Sequence, residues 1–308
     1  MRILYFGTST FAIPALTALI ARGDPIVGVV TQPDRPAGRG GQLTPPPVKT
    51  AALAAGLPVL QPESCRAPAF LDTVRALAPE LSIVAAYGQF LPDPLRTLPP
   101  LGTVNLHGSL LPKYRGAAPI QRALWHGEAT TGVCLMWMVR EMDAGDIIAC
   151  AETPITPEDT GGTLSARLAE LAAGLLLRWL PAIAAGDAPR IAQDPAQVTF
   201  APIIRKDERV VDWTQSAEAI WRHIRALAPA PAALTTFRGQ PVKLLAAEPA
   251  GETTDAPAGM LLAAGGALRV ATGGGVLVIH HLQPAGKRPM TGEAFLRGAH
   301  PDVSERFG

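Results

Sequence analysis

Through the first two thirds of the chain, short runs of consecutive apolar residues alternate with stretches of helical spacing. Residues 2–6 (RILYF) and 26–31 (IVGVVT) are strands of the continuous apolar kind that parallel sheets bury on both faces, and residues 11–21 between them form a helix. The same alternation predicts helices near 48–55 and 69–77 and strands over 81–86 and 103–107. After Pro119 come a short helix to about His126, strands near 133–138 and 147–151, and a helix over 163–180 with Leu164, Leu168, Leu171 and Leu175 on one stripe. Repeated βα units of this kind predict a doubly wound α/β domain over residues 1–188.

From Pro181 to about Ile204 the periodicity disappears into Ala, Gly, Asp and Pro, and residues 189–205 read as a surface linker. Beyond it the pattern changes. A helix over 216–227 opens with Ser216 at its N-cap and Glu218 in its first turn, where a carboxylate suits the helix dipole. Strands over 233–237, 240–246, 259–264, 268–271 and 275–283 follow, joined by glycine-rich turns. Residues 206–308 are therefore expected to form a small OB-like β-barrel.

Composition narrows the function classes. Of 308 residues, 48% are apolar and 17% charged, enough to bury a core and too apolar for a disordered chain. The net charge of +1 lacks the excess of many nucleic-acid binders, and residues 206–308 hold 11 basic and 10 acidic side chains, so any nucleic-acid contact must rest on a local patch. Cys65, Cys134 and Cys150 show no CxxC spacing and no nearby histidine pair, which predicts neither a disulfide framework nor a metal site and fits a reducing, cytoplasmic setting. Gly7-Thr8-Ser9-Thr10 splits the apolar opening into strand and turn rather than a signal peptide, and no membrane span is expected. Gly7 alone cannot make the three-glycine dinucleotide turn, which argues against a nicotinamide oxidoreductase.

Asn105 and His107 stand two apart at the end of a strand, so both side chains leave one face while Leu106 turns into the core. The carboxyl end of a parallel strand is where open α/β sheets bind ligands. An amide can donate to a developing oxyanion, a histidine can hold or pass a proton, and Asp143 and Asp146 supply carboxylates that can orient the ring. On spacing alone, a capping Asn105, a satisfied His107 and a turn-forming Asp143 remain an alternative.

The segments HGSLLPKYRGAAPIQ from His107, TQPDRPAGRG from Thr31 and MDAGD from Met142 together resemble the methionyl-tRNA formyltransferase family. The run from Ile204 to Glu208, Asp212-Trp213 and the run from Leu282 to Lys287 extend the resemblance into the C-terminal part. The resemblance implies a Rossmann-like formyltransferase domain, a tRNA-binding barrel, 10-formyltetrahydrofolate as co-substrate without a metal, initiator methionyl-tRNA as partner, and a monomer. It assigns Asn105, His107 and Asp143 to catalysis, Ser109, Leu110, Leu111 and Pro112 to the folate, and Arg39, Lys206 and Lys287 to tRNA. Asp146 takes a supporting place, and a cis Leu111-Pro112 bond is expected. Where the family tends to carry lysines after the arginine, this chain has Gly40-Gly41-Gln42. Other folate-dependent formyltransferases, acting on glycinamide ribonucleotide or an amino-sugar nucleotide, share the N-x-H and aspartate chemistry and form the alternative.

Overall fold

The computed structural model describes residues 1–37, 41–262, 266–302 and 305–308. The chain forms two compact units: Met1–Pro119, Thr130–Pro154 and Ser165–Ala201 make the first, and Ile120–Ala129, Ile155–Leu164 and Pro202–Gly308 the second.

In chain order the elements contributing to the first unit are β1 (Ile3–Gly7), α1 (Ile13–Arg22), β2 (Ile26–Val30), β3 (Arg35–Ala37), β4 (Gln42–Thr44), α2 (Pro47–Ala54), β5 (Val59–Leu60), α3 (Pro68–Leu77), β6 (Leu81–Ala85), α4 (Asp93–Arg96) and β7 (Thr103–His107). After α5 (Pro119–His126) follow β8 (Thr130–Trp137), β9 (Ile147–Pro154) and α6 (Gly161–Ala185). The main sheet runs β5-β2-β1-β6-β7-β8-β9. The chain winds outward from β1 to β5, then returns to β6 beside β1, which places the topological switch point between those two strands. Pairing is parallel from β5 to β7 and antiparallel from β7 through β9. Every residue of β1 and β6 is buried, as continuous apolar strands require, and Leu4, Phe6, Val30 and Val84 form one core with Phe70 and Val74 of α3. Helices α1, α2 and α3 each take a proline in the first turn, where its missing N–H leaves no helical bond unmade.

Two features depart from expectation. Cys134 and Cys150 form a disulfide, because the β8–β9 register sets them directly opposite with Cα atoms 4.1 Å apart, a proximity that a 16-residue separation does not reveal. Helix α6 runs on past Pro181 and is long and apolar enough by composition to cross a bilayer, yet Leu168, Ala172, Leu176 and Leu180 are buried within the protein, as in a core helix.

The second unit contains α7 (Ala217–Leu227), β10 (Ala233–Phe237), β11 (Gln240–Pro249), β12 (Leu261–Leu262), β13 (Leu268–Thr272), β14 (Gly275–Pro284), β15 (Met290–Thr291) and α8 (Gly292–Ala299). Its antiparallel sheet runs β10-β11-β14-β13-β12, with β15 also on β14. Ser216 caps α7 by accepting from the Ala219 N–H, and Ile220, Ile224 and Leu227 carry its apolar stripe into the barrel core. The last residues join the sheet's two edges. Phe307 bridges Phe237 on β10 and donates its N–H to the Gly259 carbonyl, while Leu261 of β12 donates to the Glu305 carbonyl. The Phe307 ring lies 5.7 Å from Trp213 and 5.8 Å from Phe237, centroid to centroid. Trp213 is a core residue, its indole N–H donated to Thr235 Oγ1 at 3.0 Å.

Two stability effects follow. Phe307→Ala, which removes an almost fully buried ring from this closure, should cost about 3–5 kcal/mol in denaturant unfolding; a loss below about 1 kcal/mol would show that the barrel core does not depend on it. His223 stacks on Trp125 at 4.2 Å, and burial pushes its imidazole from 6.5 down to about 4. The unfolded chain therefore binds a proton in that interval that the folded one does not, so stability falls as pH drops from 6.5 toward 4. A His223→Phe variant should lose less stability than the parent between about pH 7 and pH 5.

Candidate active site

β7 carries the two strand residues of the site. Asn105 is half-buried opposite Val84 of β6 and Met136 of β8, and His107 lies opposite Cys134. Leu106 between them is buried, as the strand period requires. The third residue arrives on the loop after β8. Asp143 takes a left-handed backbone conformation, φ +52°, uncommon for a residue with a side chain though less so for an aspartate. Its Oδ1 lies 3.4 Å from Asn105 Nδ2, and its Oδ2 accepts from the Gly116 N–H at 2.9 Å and faces His107 Nδ1 at 3.5 Å. The other ring nitrogen, Nε2, lies 2.9 Å from the Tyr114 carbonyl. Both nitrogens of a 5% exposed ring thus face oxygen acceptors, so its protonated form can donate on each side. The sequence-predicted trio is brought together at the carboxyl end of β7.

The loop from Gly108 to Gly116 shapes the next wall. Ser109 donates its hydroxyl to the Lys113 carbonyl at 2.7 Å and is fully buried. Leu111 packs with Cys134 and Met136, and its N–H faces the Cys134 sulfur. The Leu111-Pro112 bond is cis, as expected. Of the four residues assigned to a ligand here, Leu110 and Pro112 are half-exposed, while Ser109 and Leu111 hold the loop's shape from within. Asp146 offers its backbone carbonyl to the Trp137 N–H at 2.9 Å.

Beyond β2, Asp34 accepts from Lys49 Nζ at 2.8 Å and Gln61 Nε2 at 2.7 Å, and these bonds hold its carboxyl below the ordinary range. This network stands at the base of the β3–β4 hairpin. Arg39, which falls between β3 and β4 in the sequence, lies outside the described residues. Lys206 and Lys287 are exposed on the second unit. Among the described residues no cluster of three or more His, Cys, Asp or Glu is arranged to hold a metal ion.

The segment read from the sequence as a surface linker, residues 189–205, makes bonds to the loops of the site. Ile191 pairs with Ile147, Tyr114 donates its N–H to Thr199 Oγ1 at 2.9 Å, and Arg115 and Ala201 exchange backbone bonds with residues on the opposite strap. Gly116, at φ +123°, has no space for a Cβ, which would lie 2.7 Å from the Ala201 carbonyl oxygen. Isolated bridges of this kind have no sequence period, which is why the pattern of apolar residues misses them.

Residues 1–180 match the family described as formyl transferase, and residues 203–300 match the formyl transferase C-terminal domain. A methionyl-tRNA formyltransferase of Moorella thermoacetica is 47% identical over 299 residues, covering 97% of this chain and 96% of the relative. One of Listeria monocytogenes is 44% identical over 310 residues, covering 100% of this chain and 99% of its own length. Among solved structures, HypX of Aquifex aeolicus in complex with tetrahydrofolic acid superposes with a TM-score of 0.68 at 20% identity, over 96% of this chain and 47% of that one. The methionyl-tRNA formyltransferase of Clostridium thermocellum gives 0.58 at 14% identity, over 80% of this chain and 93% of that one. At those identities the structural likeness concerns the fold.

Proposed function

Because the chain belongs to the methionyl-tRNA formyltransferase family, we propose that it transfers the formyl group of 10-formyltetrahydrofolate to the α-amine of initiator methionyl-tRNA, with Asn105, His107 and Asp143 as its catalytic residues. The observation that carries this assignment is the convergence of an amide, an imidazole and a carboxylate at the end of β7.

The side chains present suit a direct attack by the substrate amine. Ser109 is buried with its hydroxyl committed to Lys113, and Cys134 is in a disulfide, so neither stands as a nucleophile. The folate, when bound, supplies an activated formyl group on its N10 nitrogen, and half-exposed Leu110 and Pro112 are the residues offered to it on the Gly108–Gly116 loop. Asn105 uses one amide hydrogen toward Asp143; its second meets the carbonyl oxygen on which negative charge develops during attack. Protonated His107 adds a second donor by exchanging its contact with the Tyr114 carbonyl for that oxygen. Asp143 orients the imidazole and, through water, moves the amine's proton to the departing nitrogen.

Residues 206–308, including Lys206 and Lys287, form the surface that follows the tRNA backbone, and Arg39 meets the acceptor end. A monomer working in the cytoplasm, where translation supplies charged tRNA, completes this reading.

Purified protein given 10-formyltetrahydrofolate should formylate initiator methionyl-tRNA and leave glycinamide ribonucleotide and amino-sugar nucleotides unmodified; preferential turnover of either small acceptor would reject the tRNA assignment. His107→Ala should lower kcat by about 10²–10³ while tRNA affinity stays within a few-fold, since one oxyanion donor is lost. If the lysines meet phosphates, Lys206→Ala and Lys287→Ala should each reduce the slope of log affinity against log salt by about one. An unchanged slope in both would move the tRNA surface elsewhere.

A further inference from the structure

One side chain from the segment between α6 and the second unit touches both loops of the candidate site. The Gln193 amide oxygen accepts from Arg115 Nε at 3.0 Å and Nη2 at 2.7 Å, and its nitrogen donates to the carbonyls of Asp143 and Gly145, each at 2.8 Å. All four hydrogen-bonding positions of the amide are used. Its orientation is also unique: turned over, its oxygen would face two carbonyls and its NH₂ two guanidinium donors.

The consequence lies in what those partners hold. Asp143 and Gly145 belong to a loop whose backbone is already constrained, with Asp143 at φ +52° and no room for a Cβ at Gly145, where it would meet the Trp137 carbonyl. Two carbonyls turned toward one amide fix the direction in which the Asp143 side chain leaves the backbone. Arg115 immediately precedes Gly116, whose N–H is the shortest bond to the Asp143 carboxylate. Gln193 therefore grips both sides of the contact that places Asp143 against His107. The segment carrying it is anchored on either side, by Ile191 on Ile147 and by Thr199 on Tyr114 and Arg115.

We propose that Gln193 is a positioning residue for formyl transfer, acting through Asp143 by locking its loop to the Tyr114–Gly116 turn. This rests on the reading that Asp143 serves the transfer, and it extends the working site to the segment between α6 and the second unit.

Two variants separate this role from a merely structural one. Gln193→Leu removes all four bonds. Gln193→Glu keeps the acceptors for Arg115 but presents an oxygen to the two carbonyls, and it serves where the leucine variant fails to fold. Either should lower kcat by about 10–100-fold, the scale of a displacement near 1 Å in a catalytic group, with KM for folate and tRNA within about threefold and the melting temperature close to the parent's. The diagnostic reading is a double-mutant cycle with Asp143→Asn. If Gln193 works through Asp143, adding the Gln193 substitution to Asp143→Asn should lower kcat by less than about twofold more, whereas independent effects would multiply. Unchanged kcat in both Gln193 variants, or full multiplicativity, overturns the proposal while leaving the site assignment intact. Unchanged kcat in Asp143→Asn overturns the assignment itself, and the proposal with it.

Discussion

The Asp143 carboxylate is the contact on which the first unit's site depends. It accepts the Gly116 N–H, faces the His107 ring and reaches Asn105, so a strand end, a turn and a post-strand loop meet at one pair of oxygens. A left-handed aspartate costs on the order of 1–3 kcal/mol and persists only where neighbours over-determine it. Here the close packing of Gly145 on the Trp137 carbonyl and the Gln193 bonds to the Asp143 and Gly145 carbonyls hold the loop. The strain is stored next to the group that must be aimed, in keeping with a site built beforehand rather than assembled by its ligand.

The sheet explains why those parts are where they are. Its switch point lies between β1 and β6, and in open α/β sheets ligands bind at the carboxyl ends of the strands beside such a point; β7, parallel to β6 and one strand further along, delivers Asn105 and His107 to that same end. Thr8 donates its hydroxyl to the Tyr87 carbonyl at 2.6 Å, and Gln61 donates to the Gln32 carbonyl at 2.9 Å, so loops at the ends of β1, β2, β5 and β6 are stitched to one another. In the second unit the arginines are largely engaged in structure: Arg122 pairs with Glu208, Arg222 with Glu218, Arg238 with Glu305 and Arg269 with Glu252. Arg238 forks onto both Glu305 oxygens, the planar contact that suits a guanidinium, and the near-zero net charge, a count of both signs, coexists with local charge of either sign.

Much of this was legible in the sequence because it follows periods. Buried β1 and β6 announce themselves as apolar runs, α7 as a capped amphipathic stretch, and the N-x-H pair as two side chains on one face of a strand end. The motif runs around Leu111-Pro112 and Asp143 marked the two loops that complete the site. What was illegible has no period. The disulfide depends on the β8–β9 register, the closure of the barrel on two bridges made by Arg306 and Phe307, and Gln193's place on backbone carbonyls that any residue could present. The extended strand expected over 259–264 appears as the short β12, with residues 263–265 outside the described part.

The central claim is that the Asp143–His107–Asn105 constellation performs the chemical step on an amine rather than holding the fold. The most direct measurement is a single-turnover rate of formyl transfer from 10-formyltetrahydrofolate to initiator methionyl-tRNA, with enzyme in excess, for the parent and for Asp143→Ala. The account expects the transfer rate to fall by at least about 10²-fold, the range of a lost general-base contribution, with both substrates still bound at parental affinity. A variant that transfers formyl at the parental rate once bound would contradict it.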